Sequence, residues 1–335
     1  MRIYQTSGFL SVTAALIGNV FVASIKFIAA VTTGSSVLFS EAIHSVADTL
    51  NQVLILIGLK RSTKLPDEDF IYGYGYERFF WALISACGIF FIGAGITSYS
   101  GIISLIQPRG IIYEPFIIFV FLASLIIESI TFGIAYRELK HRYPKMTLME
   151  RIREGDPSTL AVFFEDGVAV LGVFIAFISL WLTFTTGQYY WDGIGSILIG
   201  ILLGAVAITL IIKNKNFLIG KAIPDDLQEH IIEMLEADPA IEHVIDFKSI
   251  VLDIGVYRIK CEIEFNGYVL LKEIYKIQSL REQFNEVKDD YEEFKKFCVD
   301  YADRIPRLVG KKIDEIERRI KLENPGVKYI DIEIN

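Results

Sequence analysis

The chain has 335 residues, 52% of them hydrophobic, and a mean hydropathy of +0.42, with the apolar residues gathered into long runs; that excludes an ordinary soluble globule and gives a polytopic membrane protein. A formal net charge of −8 excludes nucleic acid as a partner. The three cysteines, Cys87, Cys261 and Cys298, share no close spacing, which excludes a disulfide framework or a CxxC metal site and leaves free thiols.

In chain order, six segments carry the roughly 20 mostly apolar residues that a spanning helix needs: about 9–32, 37–60, 79–105, 113–136, 158–184 and 190–212. The first is too long for a signal-peptide core and reads as a retained helix. An even number of spans puts both termini on one side. Lysine and arginine in the connections say which side. The connection after the second span has Lys60, Arg61, Lys64 and Arg78, and the one after the fourth has Arg137, Lys140, Arg142, Lys145, Arg151 and Arg153. The other connections carry only Arg109, so both termini are expected in the cytoplasm. With no N-terminal presequence, the expected setting is a prokaryotic cytoplasmic membrane.

Two domains follow: a transport domain over 1–213 and a cytoplasmic domain over 214–335, beginning at Lys213-Asn214-Lys215-Asn216. Pro224-Asp225-Asp226 opens an amphipathic helix to about Leu235, its aspartates set against the helix N-terminus. Tyr257, Ile259, Cys261, Ile263 and Phe265 alternate with charged residues, a strand with one buried face. Ile330, Ile332 and Ile334 repeat the pattern. Between them an extended, charged helical region runs from about 270 to 322, expected to be broken into two helices at Pro306. The order helix, strand, strand, helical region, strand gives a small α+β domain of the ferredoxin-like kind.

The chemistry lies in polar residues at bilayer depth, each costing about 2.5–3.5 kcal/mol or more unless it faces a partner or a wet cavity. In Ser40-Glu41-Ala42-Ile43-His44-Ser45-Val46-Ala47-Asp48, His44 and Asp48 share a helix face. In soluble proteins that spacing is more often a hydrogen-bonded pair; in the bilayer a bound cation offsets the burial of Asp48. The fifth span carries Glu165 and Asp166, which point about 100° apart. His44, Asp48 and Asp166 supply one imidazole and two carboxylates, a set that suits zinc and tolerates manganese, iron or cobalt. Asn19, Asn51, Gln52 and Glu128 are open between ligand support, helix packing and proton carriage. Lys26 either snorkels or pairs with a carboxylate, and Glu41 reads as a solvated residue near the outer interface. The tyrosines at 72, 74, 76, 189 and 190 read as interfacial belts.

At this point the chain resembles the cation diffusion facilitator family over nearly its whole length. Thr33-Gly34-Ser35 leads into the Ser40–Asp48 stretch, Asp67 precedes Tyr72-Gly73-Tyr74-Gly75, and Trp191-Asp192-Gly193-Ile194-Gly195-Ser196 enters the sixth span. The resemblance implies a transport site between the second and fifth helices, a homodimer, and export of a divalent metal driven by inward protons. The family's fifth-helix motif is His-x-x-x-Asp, and its histidine position here is Val162. Glu165 beside Asp166 is instead similar to the branch containing the zinc transporter of mammalian mitochondria and nuclei. Glu165, a water or Asn19 is then left to complete the set of His44, Asp48 and Asp166. Some members bind a further metal in the loop between the second and third helices; here Phe70 and Tyr74 stand at those histidine positions, so no strong site is expected there. His230 and His243 are the imidazoles of the cytoplasmic domain, and with Cys261 they read as structural.

The expected function is therefore a secondary transporter exporting a divalent cation, zinc first among the candidates, in exchange for protons by alternating access. The alternatives are a manganese, iron or cobalt transporter, and a membrane metal sensor that moves nothing. An enzyme has little support, because no nucleophile sits beside a general base at these depths.

Overall fold

The computed structural model describes residues 4–108, 110–112, 115–142, 144, 146–155, 157–274 and 280–335, with residues 4–18, 142, 154, 157, 158, 271, 273, 274 and 280 described by backbone alone. Arg109, Lys145 and part of the 270–322 region lie outside the described residues. The chain divides into two compact units, Met1–Ile219 and Gly220–Asn335.

In the first unit, α1 (Tyr4–Thr33) and α2 (Ser36–Ser62) form an antiparallel pair. Gly34 makes the sharp turn between them by taking φ +71°, a conformation side-chain-bearing residues avoid. The third span is α3 (Tyr76–Gly88), a π-helical turn at Ile89–Ala94, and α4 (Gly95–Ile106). Next come α5 (Phe116–Arg142), a short α6 (Leu148–Glu154) opened by a Thr147–Glu150 capping box, α7 (Pro157–Thr186) and α8 (Tyr190–Ile219). Among the described residues five spans are long and apolar enough to cross a membrane, and Asn19–Thr33 of α1 adds a shorter apolar stretch. The chain is an integral membrane protein.

The α2 helix is the least apolar of the five spans. It tolerates its polar residues because it sits inside the bundle, packed against α1, α3, α4, α7 and α8. Val37 and Leu38 join Val173, Ala176, Leu180, Ile199 and Leu203 in the main apolar core. Helices α4 and α8 approach closely at Gly101 and Gly193, where a methyl on either would lie within 2.9 Å of the other's carbonyl oxygen. The π turn interrupts the third span where Gly93 faces Ala47, next to Asp48. Such turns often mark functional positions in helices.

The second unit contains α9 (Asp225–Glu236), β1 (Ile241–Asp253), β2 (Val256–Phe265), α10 (Gly267–Ile274), α11 (Leu280–Val287), α12 (Tyr291–Glu323) and β3 (Val327–Ile334). The sheet order is β1-β2-β3, with β1 and β2 antiparallel and β3 parallel to β2. Ile259, Cys261 and Ile263 of β2 and Ile330 and Ile332 of β3 form the buried face, with Ile231 and Leu235 of α9 and Ile316 and Ile320 of α12 also buried. The α+β order expected from the alternating strands is present. The expected break at Pro306 is not: α12 runs unbroken through it. Proline removes the donor to the Ala302 carbonyl, and both residues are exposed, so water can take that acceptor.

Candidate metal site between α2 and α7

The helices α2 and α7 run in opposite directions and pack together. Two pairs of residues therefore meet at two levels. Glu41 lies against Gly172, and seven residues further along α2 Asp48 comes within electrostatic reach of Glu165, seven residues back along α7. Seven residues bring a helix back to nearly the same face, about 10 Å along its axis.

At the inner level His44 is 1% exposed, with Nδ1 3.5 Å from Oδ1 of Asp48. Neither ring nitrogen makes a hydrogen bond among the described residues. A buried imidazole with both nitrogens unengaged is available to ligate an ion. Asp48 is mostly buried, and its charged neighbours are Glu165, Glu128, Lys26 and Asp166. Glu165 is buried with Oε1 unpartnered, beside the Asn51 amide. Asn51 accepts the Ser85 hydroxyl, so α3 braces it. Asp166 is half-buried and lies beside Thr131 of α5. The histidine position of the family motif, Val162, is 43% exposed, whereas Glu165 is 8% exposed and faces the bundle.

The structure thus brings Glu165 and the half-buried Asp166 within electrostatic reach of Asp48, beside His44, but not into a finished coordination shell. No three of the His, Cys, Asp and Glu side chains among the described residues are close enough to hold one ion as they stand. Binding one ion with the whole set needs side chains of α2 and α7 to move together.

Three polar groups take roles that the sequence alone leaves open or does not assign. Glu41 is not a solvated end residue: it is 1% exposed and ion-paired to Lys26 of α1. Lys26 pairs rather than snorkels, reaching Glu128 of α5 as well. Asp192 of α8 is also buried and closes the N-terminus of α2, its carboxylate accepting from the Ser35 hydroxyl at 2.5 Å, the Ser36 amide at 2.6 Å and the Val37 amide at 3.2 Å. The signal for it was a lone acid entering an apolar run.

Outside the spans, Asp67 is engaged by its own loop. Its Oδ2 is 2.7 Å from both Lys64 Nζ and the Tyr74 hydroxyl, and its Oδ1 accepts from the Phe70 amide. These bonds, Lys64 first, hold its carboxyl down at about 2. Tyr74 is accordingly a loop staple more than an interfacial anchor. Burial pushes the Cys261 thiol up to about 12, so it is protonated at neutral pH and is no thiolate ligand. His230 and His243 are exposed.

With this geometry in view, the profile of the cation efflux transmembrane domain matches residues 12–219. The chain belongs to the cation efflux family, the cation diffusion facilitators. It is 35% identical over 314 residues, 92% of its length, to a protein of Homo sapiens named as a mitochondrial proton-coupled zinc antiporter, of which it spans 55%. It is 36% identical over 331 residues to metal tolerance protein C4 of Arabidopsis thaliana, covering 96% of this chain and 72% of that one. An uncharacterized transporter of Methanocaldococcus jannaschii is 26% identical over 264 residues, covering 78% and 88%. The chain spans about half the length of the vertebrate antiporters it matches. The mitochondrial name of those relatives gives no support to the expected prokaryotic cytoplasmic membrane.

Proposed function

We propose that this member of the family is a proton-coupled divalent-cation exporter, with zinc as its first substrate and His44, Asp48, Asp166 and Glu165 as the residues that hold the ion. The observation that carries this reading is the buried His44–Asp48 pair, whose imidazole makes no hydrogen bond among the described residues and which lies within electrostatic reach of two carboxylates of α7. The relatives named as a zinc antiporter and a metal tolerance protein favour zinc.

Proton coupling follows from the ligand chemistry. An imidazole and carboxylates bind a cation in their deprotonated forms, so protons and metal compete for the same atoms. On the metal-loading side, the ion draws Glu165 and Asp166 towards the His44–Asp48 pair. On the other side, protons neutralise the carboxylates and the imidazole, and the ion leaves. The lysines and arginines of the second and fourth connections favour both termini on the same side as those connections, and the working unit of the proposal is a homodimer.

Zinc flux into proteoliposomes under an imposed pH gradient tests the reading. Flux that collapses with the gradient and with Asp48→Ala supports it; metal binding without flux moves the assignment to a sensor.

A further inference from the structure

The outer level of the α2–α7 interface carries a second cluster that the proposed site does not use. Lys26 Nζ lies 3.1 Å from Glu41 Oε2 and 3.2 Å from Glu128 Oε1, with the lysine 2% and Glu41 1% exposed. The three residues come from α1, α2 and α5. The fourth wall is α7, and there Gly172 leaves the space that Glu41 Oε1 occupies; a methyl at that position would overlap the oxygen. That Oε1 is buried and makes no hydrogen bond among the described residues. Two carboxylates thus converge on one cation, and one of them keeps an oxygen without a hydrogen bond among the described residues, in a buried four-helix setting.

The position relates this cluster to the proposed site, on which the functional half of the inference rests. Glu41 stands one turn before His44 on α2, and Lys26 is a charged neighbour of both His44 and Asp48. A buried pair of carboxylates without a counter-charge is costly and attracts the nearest cation. On the proposed transport reading the nearest mobile cation is the cargo.

We propose that Lys26 is a tethered counter-cation that keeps a second divalent-cation site closed: its ammonium occupies the Glu41–Glu128 carboxylate pair in the place of a metal ion. An ion released from the His44–Asp48 level then passes carboxylates that are already neutralised and is not retained by them. The tether also fastens α1 and α5 to α2, so that the cluster is a fixed element beside the moving α2–α7 contact.

The test is a count of bound zinc per chain by equilibrium dialysis of the purified, full-length protein in detergent micelles. Lys26→Met is expected to bind one more zinc per chain than wild type, and Lys26→Met with Glu41→Gln and Glu128→Gln is expected to return to the wild-type number. Lys26→Arg keeps the wild-type number. A monodisperse Lys26→Met protein with the wild-type number of zinc ions overturns the proposal. Where Lys26→Met does not fold, Lys26→Gln decides by the same count: one more zinc per chain than wild type is expected, and the wild-type number in a monodisperse protein overturns the proposal. The Asp48→Ala variant tests the His44–Asp48 site separately. The zinc gained by Lys26→Met over the triple variant is counted in either background, so failure of one reading is distinguishable from failure of the other.

Discussion

Removing the Asp192 carboxylate should unfasten the start of the helix that carries His44 and Asp48. The carboxylate accepts the amides of Ser36 and Val37 and the hydroxyl of Ser35, and it is 1% exposed. In Asp192→Ala those two amides, orphaned at a helix N-terminus, are left buried without acceptors. Each costs about 1–3 kcal/mol, and the lost negative charge at the helix N-terminus adds about 0.3–2 kcal/mol. Ser35 retains its own cap on Leu38, at 3.2 Å, so the helix frays without dissolving. The expected loss is about 2–8 kcal/mol in total. Asp192→Asn keeps one acceptor oxygen and should lose roughly half as much. Unfolding of the purified protein by sodium dodecyl sulfate titration in mixed micelles, followed by circular dichroism, measures both. A loss below about 1 kcal/mol for the alanine variant would refute the claim that Asp192 is the acceptor for α2.

Three further predictions address the site and its surroundings. Asp48→Ala and Asp166→Ala should abolish zinc flux while leaving a folded protein, and Glu165→Ala should lose as much as Asp166→Ala, since Glu165 is the more buried; full flux in any of the three removes that residue from the ligand set. Gly172→Ala should destabilise the membrane unit by about 1–3 kcal/mol through overpacking against Glu41, and a neutral result in the same micelle titration would mean that α7 does not press on that oxygen. Asp67 should titrate near pH 2, below its ordinary value near 4. Its folded-state value is depressed, so the stabilisation is fully present above pH of about 4 and is lost as the pH falls through about 2. Lys64→Met should raise the carboxyl titration seen by carbon-13 spectroscopy towards the ordinary value; an unmoved midpoint would show that Lys64 is not the cause.

The sequence revealed the architecture where a single physical rule governs it. Long apolar runs named the spans, and period-two alternation named β2 and β3, because burial in lipid or against one sheet face leaves little freedom in residue type. The region 270–322 departs from the sequence expectation at Pro306, because a helix of 33 residues that buries Val309, Ile316 and Ile320 against its neighbours can absorb the cost of one interior proline. Polar residues in the spans were recognisable as exceptional, and His44 with Asp48 followed from helix periodicity alone. Their cross-helix partners did not. Nothing along the chain says that Lys26 reaches Glu41 and Glu128, or that Asp192 reaches back to Ser35, because those contacts depend on how α1, α5 and α8 rotate against α2. Glu165 and Asp166 illustrate the same limit: adjacent residues on one helix could not be ranked by spacing, whereas burial of Glu165 and exposure of Val162 separate them.

The most direct test of the central claim is zinc uptake into proteoliposomes containing the purified chain, with a pH gradient imposed and then collapsed by an ionophore, for the wild type and for Glu165→Gln. The account predicts gradient-dependent zinc accumulation in the wild type that stops when the gradient is dissipated, and accumulation reduced at least tenfold in the variant. Zinc flux indifferent to the gradient, or equal in the two proteins, would contradict it.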